Sequence, residues 1–175
     1  MQKSSARQLG LGLTILGAVA RLAPHAPNMT PVGGLSLFGG GRLRGWQAYL
    51  LPLALMAATD PLVGGYSWAS PFVYASLLIN VWIGSRWLRG AANPLRIGGA
   101  ATAGSIQFFV VTNFGVWLRF PTTYAHTLSG LAACYVAAIP FYWRTLAGDL
   151  MWATALYGLY ALLSRRATAP AAELS

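Results

Sequence analysis

Charge is what this sequence has least of. Three acids (Asp60, Asp149, Glu173) and two histidines (His25, His126) stand against 12 Lys and Arg, and only 9% of the chain is charged, where a soluble domain carries roughly a quarter. Two carboxylates outside the C-terminal tail argue against hydrolytic or metal-dependent catalysis and against a relay of buried acids for proton coupling. A single cysteine, Cys134, excludes an internal disulfide and a multi-cysteine metal site. There is no HExxH, no GxSxG and no Walker-type glycine loop, so no enzyme constellation and no ATP-binding element is present. The basic residues are scattered at segment ends without forming a basic face, which excludes nucleic acid as a partner.

Apolar residues fill the space that charge leaves. The chain is 56% hydrophobic with a mean hydropathy of +0.54, and several stretches run most of the length that a ~30 Å hydrocarbon core demands without a charged side chain. The expectation is an all-α integral membrane protein embedded in a lipid bilayer. It has one domain over residues 1–166 and a disordered polar tail over 167–175.

Apolar segments fall at 6–22, 31–41, 46–63, 71–88, 97–118, 127–143 and 145–164. The first could pass for the core of a signal peptide, but no convincing small-residue cleavage site precedes Pro24, and it reads as a retained span. Cytoplasmic loops hold the Lys/Arg excess. With the N-terminus inside and five crossings, Arg42, Arg44, Arg86, Arg89 and Arg96 fall inside and Arg21 and Arg119 outside. Counting 127–143, which Pro140 interrupts, as a further span would place Arg165 and Arg166 outside. That segment is therefore expected to be re-entrant or partial, giving a six-transmembrane-helix bundle with both termini cytoplasmic, in a bacterial inner membrane.

The second segment, TPVGGLSLFGG, is too short to cross unaided, since 11 residues of helix reach only ~17 Å. It is either broken backbone beside a cavity or a short helix in a thinned bilayer. Ala6, Gly10, Thr14 and Ala18 recur every fourth residue and put a small-residue stripe on one face of the first span. That stripe suits close helix contact, within the bundle or with a partner.

The polar residues collect in the outer half. His25, Asn28 and Thr30 in PHAPNMTP, Asp60, Arg119, Arg144, Asp149 and the aromatics Tyr66, Trp68, Tyr124 and Trp143 would rim a pocket there. For the aromatics an interfacial belt is the competing explanation. Thr30 or Asn28 can cap the next helix with Pro31 at its first position. A buried carboxylate needs a partner, and Arg144 is the cation expected to pair with Asp60 across helices or with Asp149. On one helix the spacing of Arg144 and Asp149 separates them by about 140°. His25 is free to meet a ligand or a metal.

PHAPNMTPVGGLSLFGG, VVTNFGVWL (110–118) and TLSGLAACYVAAIPFYWRTLAGDL (127–150) resemble the DUF6580 type of small bacterial membrane protein. That family looks related to the S components of energy-coupling-factor (ECF) vitamin transporters, and to the solitary cobalamin transporters called BtuM. The resemblance implies a six-helix S-component fold with an outward vitamin pocket and uptake of a vitamin-like molecule, with cobalamin or another corrinoid as cargo and no intrinsic cofactor. It carries His25, Asp60 and Arg144 over as ligand positions. To these the pocket argument adds Asn28, Trp68 and Tyr124, with His25 as a cobalt contact. BtuM-type proteins can place a cobalt-binding cysteine shortly after that aspartate, near where Val73 stands here. The Ala6, Gly10, Thr14, Ala18 stripe is similar to the one S components present to a coupling subunit. Two other classes stay open: a membrane module that binds another protein, and a membrane enzyme using His25 or His126 with Asp60.

Overall fold

The computed structural model describes residues 3–24, 26–90 and 93–166. His25 and the tail 167–175 lie outside the described residues. Six helices follow in order, α1 (Lys3–Ala20), α2 (Val32–Arg42), α3 (Gln47–Val63), α4 (Ser70–Trp87), α5 (Pro94–Arg119) and α6 (Leu128–Arg166), with no strand among the described residues.

Contacts between helix ends give the topology. Arg7 of α1 donates to Gln47 at the start of α3, while Arg21, just past α1, pairs with Asp60 near the end of α3, so these two helices run parallel. Between them α2 runs the other way: Gly10 lies beside Arg42, and Gly17 beside Leu35. On α6, Asp149 lies at Gly33 and Tyr157 at Gly41, so α2 and α6 run parallel. Helices α1, α3 and α5 point one way, and α2, α4 and α6 the other. Arg7, Arg42, Arg44, Arg86, Arg89, Arg96 and Arg165 therefore share one end of the bundle.

The glycine-rich second segment is neither broken nor peripheral. It is a regular helix at the centre of the molecule, packed against each of the other five, and residues 32 to 41 are all buried. Glycine is what lets it sit there. A Cβ on Gly34 would run into the α6 backbone at Trp152 and Ala153, and one on Gly40 into the Val81 carbonyl of α4. Phe38 fills the middle of the core, its ring edge-to-face with Tyr157 at 5.1 Å and with Tyr160 at 5.9 Å.

The expected partial helix before the last span is corrected. Residues 128–143 continue through Pro140 into α6, a single helix of 39 residues. A proline removes one donor, and here α5 splints the helix on both sides of it. The Tyr135 hydroxyl donates to the Val110 carbonyl before Pro140, and Ser105 donates to Asp149 after it. Two apolar segments therefore make one helix, and the seven segments become six helices.

Polarity is arranged inside out. Thr14, Ser36, Asp60, Ser76, Asn80, Ser105 and Asp149 are buried, while Leu16, Val19, Trp82, Val110, Val136 and Phe141 are exposed. Water would penalise such an exterior, which suits lipid. Helices α5 and α6 are each long and apolar enough to cross a membrane.

Candidate functional site

The N-terminus of α2 ends well inside the bundle, because α2 is short and α5 and α6 run on past it. Pro31 occupies the cap position with no side-chain cap, so the expected capping by Thr30 is not found. Asp149 supplies the acceptor from across the interface. Its carboxylate accepts the Ser105 hydroxyl at 2.7 Å and lies against the first turn of α2 at Gly33. A Cβ on Gly33 would overlap that carboxylate, so glycine is what lets it approach the helix end. The positive end of the helix dipole and the Ser105 hydrogen bond hold the acid, which has no cationic partner among the described residues.

Above this helix end lies a cavity of about 180 Å³, lined among others by Arg21, Asn28, Thr30, Phe108, Thr145 and Asp149. A second of about 300 Å³ continues between α5 and α6 and shares Asn28, Phe108 and Thr145 with the first, adding Thr112, Asn113 and Tyr142. The loop before α2 roofs them. Trp152 donates to the Met29 carbonyl at 3.1 Å, Gly148 leaves room for Met29, and Asn28 takes a left-handed backbone with φ 64°. Asn is among the few residues that adopt this conformation at modest cost.

The predicted acid–base pair forms with a different cation. Arg21 Nη2 meets Asp60 Oδ1 at 2.6 Å, and Arg21 also donates to Thr59 Oγ1 at 2.7 Å. The Tyr74 hydroxyl donates to the other Asp60 oxygen at 2.5 Å. Arg144 is not the partner of either aspartate. It is exposed on α6 and lines neither chamber.

Of the other predicted residues, Asn28 lines both chambers. Asp60 stands behind the wall, holding Arg21. Trp68 packs edge-to-face on Phe120 at 5.1 Å, and Tyr124 is half-buried in the α5–α6 turn; neither lines the cavities. His126 lies against Trp117, with ring centroids 4.8 Å apart, and contacts no acid among the described residues. Of the two histidines posed with Asp60 for an enzyme, His126 therefore does not pair with it, while His25 lies outside the described residues. Cys134 is buried beside the Asn113 carbonyl. Of the stripe on α1, Thr14 and Ala18 are buried and Gly10 faces Arg42 and Leu43 inside the bundle, while Ala6 is half-buried at the opposite end of the molecule.

Sequence reasoning missed Arg21, Thr145, Phe108 and Ser105. Arg21 carried a usable signal, since it closes one apolar segment on the side where Asp60 closes another. The other three are ordinary residues within apolar helices and carry none.

The chain is an all-helical bundle with an apolar exterior and a polar, roofed cavity over the end of a central helix, and two of its helices are long and apolar enough to cross a membrane. The model of DUF6580, a family of unknown function, matches residues 2–172, and the chain belongs to that family. No curated protein and no solved structure matches the chain.

Proposed function

We propose that the chain is a six-span membrane protein of the S-component kind that binds a small, polar, vitamin-like molecule from outside a bacterial inner membrane and serves in its uptake. The observation that carries this reading is the paired cavity beneath the 26–31 loop, which brings a guanidinium, an amide, hydroxyls and a carboxylate together over the end of α2. Its position supports the direction of uptake. The cavity opens in the half away from the seven arginines that share one end, and positive residues favour the cytoplasmic side, as both termini then do.

The two chambers match a molecule of one or two rings bearing both donors and acceptors. A corrinoid, the cargo the BtuM resemblance implies, is far larger than either chamber, and binding it requires the loop to lift. His25 stays the candidate for an axial cobalt contact in that case. For a coupling subunit, where one is used, the exposed Ile15, Leu16 and Val19 face of α1 offers a surface beside the largely buried small-residue stripe.

The test is native mass spectrometry and thermal unfolding of the detergent-purified protein against a panel of vitamins that includes cobalamin. Thr145→Trp, whose ring would occupy both chambers, serves as the blocked control. A stoichiometric complex that raises the melting temperature and is lost in the blocked protein supports the reading. A folded protein that takes up nothing, from cell extract or from the panel, retires it.

A further inference from the structure

The opposite end of the molecule holds a second cleft, of about 410 Å³, between the start of α1, the ends of α2 and α4, and Tyr160 of α6. Arg7, Arg42, Arg44 and Arg89 line it, and no carboxylate among the described residues does. The two described acids, Asp60 and Asp149, are committed to the contacts described above.

Arg42 is fixed as the floor. Its guanidinium lies over the rings of Tyr157 at 4.8 Å and Tyr160 at 4.7 Å, and Nη1 donates to the Gly90 carbonyl at 3.0 Å, while the buried Nε has no hydrogen-bond partner among the described residues. Arg7 is oriented by Gln47 at 2.9 Å. Arg44 and Arg89 are exposed and make no hydrogen bond or ion pair within the described residues. Membrane topology asks only that positive charge lie at this end. It does not ask four guanidiniums to converge on one concave site, where they repel one another until an anion arrives. Arg96, at the same end, stays out of the cleft.

We propose that this cleft binds a phosphate-bearing anion, with Arg42 held rigid by its tyrosines and Arg44 and Arg89 closing on the phosphate oxygens. Guanidinium is the cation suited to this, because its planar fork meets two oxygens at once. The adjoining groove points to a phospholipid headgroup as the source. It is lined by Trp82, Trp87, Arg86 and the shared Arg89, and both indoles are about half exposed, as aromatic side chains at the headgroup level are. A soluble phosphate offers the same chemistry.

The experiment uses delipidated full-length protein. One arm adds phosphatidylglycerol or phosphatidylcholine and counts retained lipid by native mass spectrometry. The other titrates inorganic phosphate and pyrophosphate while following thermal unfolding. The wild type is expected to retain one phosphatidylglycerol in preference to phosphatidylcholine. The double variant Arg44→Gln/Arg89→Gln should weaken this by about 25-fold, each cation contributing roughly five-fold near an anionic group. Arg119→Gln, at the far end, should change nothing. Binding of pyrophosphate with no lipid preference would keep the site and assign it to a soluble anion. The proposal is overturned where neither arm shows binding, where the double variant binds as the wild type does, or where Arg119→Gln weakens binding as much. None of these outcomes depends on a ligand in the outer cavity.

Discussion

Gly40 of α2 and Gly84 of α4 each lie against the other helix's backbone: a Cβ on the first would overlap the Val81 carbonyl, and one on the second the Leu37 carbonyl. This reciprocal contact lets a central helix pack at backbone distance. Gly84→Ala should cost about 1–3 kcal/mol, as overpacking does, and Gly84→Leu should prevent folding. Gly158→Ala on α6, where a Cβ meets nothing within 4 Å, should be neutral or stabilise by up to about 1 kcal/mol. Thermal unfolding in detergent, followed by tryptophan fluorescence, checks the contrast. Equal melting temperatures for Gly84→Ala and Gly158→Ala would mean that the α2–α4 approach is looser than described.

The same contact shows where sequence reasoning stops. Apolar segments and arginine alternation are local signals, and they carried the helix order and the sharing of one end by most of the arginines. The place of α2 was not legible, because a glycine run reads alike whether it breaks a helix or lets another helix approach. Only the partner helices decide, and Val81, Trp152 and Ala153 are far away in sequence. Pro140 misled for a related reason: the pattern shows the missing donor but not α5 lying alongside. The site was half legible. Asn28 and Asp60 stand out as polar residues near helix ends, while Ser105 and Thr145 differ in nothing from small residues that merely pack.

The Arg21–Asp60 pair should behave as a buried ion pair, both side chains being at most 13% exposed. Removing one member strands the other charge, so Asp60→Ala is expected to cost about 3–5 kcal/mol. Arg21→Met together with Asp60→Leu should recover most of that. A double-mutant cycle on the melting transition measures the coupling. Strict additivity of the two single changes would show that the pair contributes nothing as a unit.

Arg144 is expected to be dispensable for folding. It precedes Arg165 by 21 residues on the same helix, or about 31 Å at 1.5 Å per residue. That is the ~30 Å thickness of a hydrocarbon core, so a bilayer can hold both guanidiniums at its two surfaces. Arg144→Ala should shift stability by less than about 0.5 kcal/mol, as exposed substitutions do. A loss comparable to that of Asp60→Ala would reveal an acidic partner for it.

Asn28 separates the roof of the cavity from its chemistry. Its left-handed backbone costs little for Asn or Gly and about 1–2 kcal/mol for most other residues, with a β-branched side chain strained further. Asn28→Val should therefore lower the melting temperature and loosen the loop that Trp152 fastens at Met29. Asn28→Gly keeps the turn and removes only the amide that lines both chambers. On the uptake reading, the glycine variant should melt like the wild type without ligand and bind the cavity's ligand about 5- to 13-fold more weakly, the worth of one neutral hydrogen bond of ~1–1.5 kcal/mol. Undiminished binding by the glycine variant beside weakened binding by the valine variant would assign Asn28 to the loop's shape alone. The polar contacts would then fall to Arg21, Thr30, Thr145 and Asp149 below it.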